Sequence, residues 1–197
     1  MSGQNCNVLN KQGIFSIWEA AKMSWDTIES EKKADFPLFK VFEDRVALPN
    51  GLKLDYYWVD KIPVVVVLPI ISNKIVMVKQ YRYPIKSESL ELPAGHVWPN
   101  ETPRGCAVRE LKEETGFTAG KIEKILEYHP STEYSTQVYH IFIAEDLKDG
   151  ETNREKYEII DMELLKTDIV IKKIMEGEIT DGRTITAVLL TMHLDRI

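Results

Sequence analysis

Four consecutive valines, Val64 to Val67, lie in the most apolar run of the chain, Ile62 to Ile71. A short β-branched run bounded by turn residues predicts a strand buried on both faces. Lys74 to Gln80 is a second such strand, with Ser72-Asn73 as the turn between them. Upstream the pattern alternates instead: Lys40 to Val46 alternates, Leu48-Pro49-Asn50-Gly51 turns, and Leu52 to Val59 returns. Asn-Gly between two such runs is a strong hairpin signal, so Leu38 to Asp60 is predicted to be a hairpin. Before it, Ile14, Phe15, Trp18, Met23, Trp25 and Ile28 lie among charges. They predict a loose amphipathic helical segment ending near Phe36-Pro37.

Downstream the period becomes helical. Thr102 suits the N-cap, Pro103 the first helical position and Gly116 the left-handed stop, which predicts a helix of about three turns. Ala107, Val108, Leu111 and Thr115 share one side of it. Lys121 to Tyr128 and Gln137 to Ala144 are predicted strands joined by a loop, His129 to Thr136. The charged stretch Glu145 to Arg154, with Gly150, is predicted to be a solvent loop before a strand at Lys156 to Ile160. Met162, Leu165, Ile169, Ile171, Ile174 and Met175 then fit a helix ending near Gly177. A second helix runs from about Asp181 through Ala187, Leu190 and His193. Strands mixed with helices in this order predict an α/β (α+β) fold.

Glu110, Glu113 and Glu114, at i, i+3 and i+4, place three carboxylates on one ridge of the first helix. Like charges so spaced cost roughly 0.2–0.5 kcal/mol per pair, and Arg109 to Glu113 recovers only one such contribution. The ridge is read as exposed, and a hard divalent cation accounts for it: Mg²⁺ prefers oxygen ligands and is often held by carboxylates together with substrate phosphates. A solvated acidic face is the alternative for an isolated E-x-x-E-E.

The surrounding order of residues is more specific. From Gly95, five residues lead to Glu101, and seven more lead to Arg109-Glu110-Leu111, Lys112, Glu113-Glu114, Thr115, Gly116 and Phe117. This resembles, without a substitution, the Nudix box of the Nudix hydrolases. The resemblance implies an α/β/α sandwich with a mixed sheet and hydrolysis of a nucleoside diphosphate linked to another group. It also implies that Glu110 and Glu114 bind catalytic Mg²⁺, which Mn²⁺ can replace, that Glu113 assists, and that the Ala94 carbonyl is a further metal ligand. Arg109 and Glu101 are then a structural ion pair.

Gln80-Tyr81-Arg82 and Glu91-Leu92-Pro93-Ala94-Gly95 resemble one subgroup, the ADP-ribose and ADP-sugar pyrophosphatases. That similarity implies that Arg82 contacts substrate phosphates. It also implies an N-terminal hairpin arm, residues 1–60, crossing a homodimer interface so that aromatic side chains of two subunits sandwich the base, with the catalytic domain at 61–197. Tyr56 is the first choice for that role and Trp58 the second; packing in the core is the alternative. Lys61 is a further phosphate candidate. The same similarity places a catalytic glutamate on the later mobile loop, where Glu155 is preferred and Glu151 and Glu158 stay open. After the box, Pro130 matches the subgroup, but Ser131 stands where glycine is usual and Thr136-Gln137 where acidic residues are usual. Another nucleoside diphosphate sugar is therefore an open substrate. Outside the subgroup, a dinucleoside polyphosphate or nucleoside triphosphate hydrolase and a non-catalytic nucleotide-sensing module are the competing expectations. The resemblance covers roughly Phe42 to Leu194.

Composition removes other classes. The chain's 197 residues allow one well-buried domain with a small appended arm. A formal net charge of -6 argues against a nucleic-acid partner. Only two cysteines are present, Cys6 and Cys106, without paired spacing, which predicts neither disulfides nor a zinc site and suits a reducing, cytoplasmic setting. Ile62 to Ile71 is too short to span a bilayer and contains Pro63 and Pro69, so no membrane association is expected. Neither a dinucleotide glycine motif nor a P-loop occurs.

Overall fold

The computed structural model describes residues 24–150 and 159–197. Its centre is the hairpin of β4 (Val64–Ile71) and β5 (Lys74–Arg82), which turns at Ser72 and Asn73 with φ of 49° and 59°. Two consecutive left-handed residues make the turn whose twist matches that of its strands. Val64, Val66 and Leu68 point to one face of the sheet and Val65 and Val67 to the other, and all five are buried. The predicted doubly buried strand is therefore present.

The other elements arrange themselves on this hairpin. β6 (Ser87–Glu91) pairs with β5, and β7 (Ala94–His96) pairs antiparallel with β4 through Val64 to Val66. Leu92-Pro93 carries the chain from one strand of the hairpin to the other, where the two diverge; their mutual pairing is confined to the turn end, Ile70–Ile71 with Lys74–Ile75. β8 (Thr118–Tyr128) and β9 (Tyr139–Lys148) extend the sheet beyond β4, with β9 parallel to β4, and β10 (Ile160–Lys166) pairs with β5. This seven-stranded mixed sheet has helices on both faces. α1 (Pro103–Thr115) buries Cys106, Ala107 and Leu111 against Val65, Val67 and Phe142. On the other face α2 (Thr167–Met175) and α3 (Gly182–His193) bring Val170, Ala187 and Val188 against Val64, Val66, Ile75 and Met77. The result is the expected α/β/α sandwich.

Ahead of it stands a separate three-stranded antiparallel sheet of β1 (Asp26–Asp35), β2 (Phe39–Ala47) and β3 (Lys53–Lys61). β2 and β3 are the predicted hairpin, with Gly51 at φ 85° in the turn.

Four expectations need correction. Asp26–Asp35 is a strand and not part of a helix: it is almost wholly exposed and is held by backbone pairing to β2 and by the Lys33–Glu43 ion pair, so it has no buried face to imprint a period. The remainder of the predicted N-terminal helix, residues 1–23, lies outside the described residues. Glu145 to Lys148 continues β9, because β8 supplies partners as far as Lys148. Asp161 to Lys166 is strand β10 and not helix: Met162 and Leu165 pair with Val78 and Ile75 of β5, and helix begins only at Thr167. In α1, Val108 is exposed, whereas Glu110 and Glu114 are buried.

Candidate active site

α1 is held at both ends by the predicted caps. Thr102 Oγ1 accepts from Gly105 N at 3.1 Å, Pro103 opens the helix, and Gly116, at φ 80°, donates its N–H to Lys112 O at 2.9 Å. An N-cap of this kind is worth about 1 kcal/mol. The helix lies against β7, and that contact creates the site. Glu114 Oε2 accepts from Ala94 N at 3.2 Å, and the Cys106 thiol lies 3.4 Å from His96 O. A Cβ built on Gly95 would fall 1.7 Å from Glu110 Oε1. Only glycine lets the Glu110 carboxylate lie over this backbone. The acidic ridge is thus covered by β7, which is why two of its three glutamates are buried.

Arg109 organises the carboxylates from below. Its Nε and Nη2 donate to Glu101 at 2.9 and 3.0 Å, and its Nη1 donates to Glu110 Oε1 at 2.6 Å and Glu113 Oε2 at 2.9 Å. Nη2 also reaches His96 O at 3.1 Å. The guanidinium holds the Glu101 carboxyl below the usual glutamate range. Glu101 in turn accepts from Trp98 N at 3.2 Å, which fixes the loop into α1. The structural pair expected from the sequence is present, and Arg109 serves more partners than predicted.

The resulting cavity, of about 360 Å³, is lined by Ala94, Gly95, Glu110, Glu113 and Glu114 together with Lys61, Arg82 and Arg183. Arg82 is bidentate on Glu91, at 2.9 and 2.5 Å, and Glu91 itself is 2% exposed. Arg183 Nη2 donates to Glu91 at 2.8 Å and its Nε to Asp181 at 2.9 Å. Burial lowers the pKa of His96 in the same cavity, with help from the charges of Lys61, Arg183 and Arg82, so its imidazole is neutral at neutral pH.

The donor set suits a hard divalent cation. Three carboxylates and the Ala94 backbone share one cavity, two of the carboxylates are withdrawn from water, and the Gly95 backbone makes room for them. Among the described residues no three acidic, His or Cys side chains already form a closed ligand cluster, since Glu110 and Glu113 are turned onto Arg109.

Not every candidate converges. Tyr56 and Trp58 remain on the N-terminal sheet and do not line the cavity. The Tyr56 hydroxyl donates to Glu133 O, and Trp58 stacks on Phe42 at 4.5 Å while its Nε1 donates to Asp44 at 2.8 Å. Lys61 does reach the cavity, because the loop after β8 is tied to β3: Val59 N donates to Tyr134 O, and Lys61 N to Thr136 Oγ1. Glu151, Glu155 and Glu158 lie outside the described residues. Sequence reasoning missed Arg183, Glu91, His96, Gln137 and Tyr139. The signal for Arg183 is its place in the segment Gly177 to Ile185, which resembles the C-terminal segment of the same subgroup but carries no assigned role.

The NUDIX domain family model matches residues 60–185. A methanol dehydrogenase activator of Bacillus methanolicus is 34% identical over 165 residues, covering 82% of this chain and 89% of that protein. An ADP-ribose pyrophosphatase of Bacillus subtilis (strain 168) is 33% identical over 165 residues, with the same coverage. A solved structure described as an ADP compounds hydrolase aligns with a TM-score of 0.81 at 20% identity, over 90% of this chain and 100% of that one; that likeness bears on the fold alone. With the family model covering most of the chain and the box residues gathered on one cavity, this protein belongs to the Nudix hydrolase family.

Proposed function

We propose that this chain hydrolyses the pyrophosphate bond of ADP-ribose or a related nucleoside diphosphate sugar, giving a nucleoside monophosphate and a sugar phosphate. The observation that carries this reading is one cavity holding the three α1 carboxylates and the two arginines anchored by Glu91. The similarity to an ADP-ribose pyrophosphatase supports the same substrate class. Nudix hydrolases generally use a divalent metal, and we assign Mg²⁺, with Mn²⁺ able to substitute, to Glu110, Glu114 and the Ala94 carbonyl, with Glu113 assisting. Such an ion, when bound, neutralises phosphate charge and lowers the pKa of a coordinated water.

The protein's own part is placement. Arg82 and Lys61 grip phosphate oxygens, and a planar guanidinium does so with paired donors. Arg109 holds Glu110, which lies over the Gly95 backbone, and orients Glu113 at the same cavity. Glu155 is our choice for activating water, with Glu151 and Glu158 as the nearby alternatives. The β1–β3 sheet is read as a homodimerisation arm in which Tyr56 and Trp58 approach the base across the interface. Trp25, Ile28, Phe36 and Phe39 are exposed on that sheet and its connections, which supports burial against a second copy. No described helix is long and apolar enough to cross a membrane, and the two unpaired-spacing cysteines fit a reducing, cytoplasmic setting.

A substrate panel tests the reading. Phosphate release after coupling to alkaline phosphatase is measured with ADP-ribose, ADP-glucose, GDP-mannose, UDP-glucose, a dinucleoside polyphosphate and nucleoside triphosphates. Turnover on the diphosphate sugars is expected. Turnover only on triphosphates or dinucleoside polyphosphates would refute the substrate class while leaving the Nudix chemistry intact.

A further inference from the structure

Glu91 needs one arginine to neutralise it and has two. Arg82 holds it through Nε and Nη2, and Arg183 donates to the same Oε2 at 2.8 Å. The Glu91 side chain is 3% exposed, whereas Arg82 and Arg183, at 35% and 18%, keep part of their surface open to the cavity. A buried ion pair is often no better for stability than apolar side chains of the same volume. Folding therefore does not account for bringing a second cation to a carboxylate already neutralised, whereas perturbed charge clusters in a cleft are a mark of ligand sites.

Arg183 also arrives by a dedicated route. Asp181 caps α3 through Thr184 N and Thr184 Oγ1, at 2.9 and 2.8 Å, and takes Arg183 Nε at 2.9 Å. Thr184 Oγ1 accepts from Leu92 N at 2.9 Å, which ties the first turn of α3 to the residue following Glu91. Thr184 is fully buried, so this register is fixed. The two bonds on Arg183 use Nε and Nη2, set the plane of the guanidinium, and engage only part of its donor fork. With Arg82 it lines the cavity that holds Glu110 and Glu114.

We propose that Arg183 is a second phosphate-binding residue of this cavity, gripping the diphosphate of a nucleoside diphosphate sugar together with Arg82. The inference rests on the substrate reading given above. A diphosphate offers non-bridging oxygens on two phosphorus atoms, and two guanidinium forks can engage both. Glu91 touches no substrate; it is the positioning residue that sets the distance between the forks. Asp181 is the second such group, holding Arg183 from the helix side.

The test compares wild type with Arg183→Met, which keeps an unbranched stem and removes the fork. Three readouts are taken: KM and kcat for ADP-ribose with Mg²⁺, the thermal shift produced by ADP-ribose in EDTA, which needs no turnover, and inhibition by adenosine. The variant should raise KM about tenfold or more, as expected for loss of a hydrogen bond to a charged group, with kcat changing less than KM. Its thermal shift with ADP-ribose should shrink, while inhibition by adenosine, which has no phosphate, stays at the wild-type level. A variant that melts earlier but keeps the wild-type KM and ADP-ribose shift would overturn the inference, because Arg183 would then serve only Glu91. Equal losses for adenosine and ADP-ribose would overturn it as well. If Arg183→Met does not fold, Arg183→Gln is read by the same criteria. A wild type that neither turns over nor responds to ADP-ribose overturns the substrate reading, and this inference with it. A wild type that does both, beside a variant that does the same, overturns this inference alone.

Discussion

Replacing Gly95 by alanine tests whether the site depends on the close approach of helix and strand. The added Cβ would lie 1.7 Å from Glu110 Oε1 and 2.0 Å from its Cδ. Ordinary heavy-atom contacts lie at about 3.5–4.0 Å, so the Glu110 carboxylate must withdraw by on the order of 2 Å. A misplacement of about 1 Å can cost about a hundredfold in rate, and kcat/KM for ADP-ribose should therefore fall by about two orders of magnitude or more. The fold should survive. The clashing atoms are the free end of a flexible side chain, so the cost stays near the lower end of the overpacking range, about 1 kcal/mol, which for a domain of this size lowers Tm by about 2–4 °C. Steady-state hydrolysis reads the first effect and thermal melting the second. A second substitution supplies the control: Glu110→Ala removes the clashing group, so Gly95→Ala/Glu110→Ala should recover Tm while remaining inactive. A Gly95→Ala protein within about threefold of wild-type kcat/KM would refute the cradle.

Two further perturbations follow from the charge arrangement. Glu91→Ala leaves Arg82 and Arg183 facing each other without their shared carboxylate; breaking a buried pair costs about 3–5 kcal/mol, and the partial exposure of Arg82 places this case near the lower end. Urea denaturation measures it, and a loss within about 0.5 kcal/mol, typical of an inert surface change, would contradict the anchoring role. Arg109 lowers the folded-state pKa of Glu101, so the stabilisation it gives is fully present above the ordinary glutamate pKa and is lost as pH falls through the lowered value. The stability difference between wild type and Arg109→Met should hold constant from neutral pH to about pH 4.3 and shrink below it; a difference unchanged down to pH 3 would show that Glu101 is not the group involved.

The legible parts of this chain are those decided by local chemistry. Asn50-Gly51 fixed a hairpin because Gly51 must take a left-handed φ, and Thr102, Pro103 and Gly116 bounded α1 because each satisfies or avoids an orphaned backbone group. The errors came where a distant partner decided the outcome. Met162 and Leu165 sit at a spacing that fits a helix, yet the exposed edge of β5 recruited them into β10. β1 shows almost no hydrophobic period because backbone pairing rather than side-chain burial holds it. The carboxylates of α1 were correctly grouped but read as exposed, since nothing local reveals that β7 crosses them at Gly95. Arg183 escaped for a related reason: beside the capping Asp181 it resembles an ordinary first-turn residue, and only the Leu92–Thr184 bond brings it to Glu91.

The central claim is that the buried carboxylates of α1 bind a divalent cation that ADP-ribose hydrolysis requires. The most direct measurement is ADP-ribose hydrolysis, with products resolved by chromatography, across a Mg²⁺ titration from EDTA upward for wild type and Glu114→Gln. Wild type should yield AMP and ribose 5-phosphate in equal amounts only when Mg²⁺ is present, and Glu114→Gln should be inactive throughout with Tm close to wild type. Wild-type turnover undiminished in EDTA, or an active Glu114→Gln protein, would contradict the account.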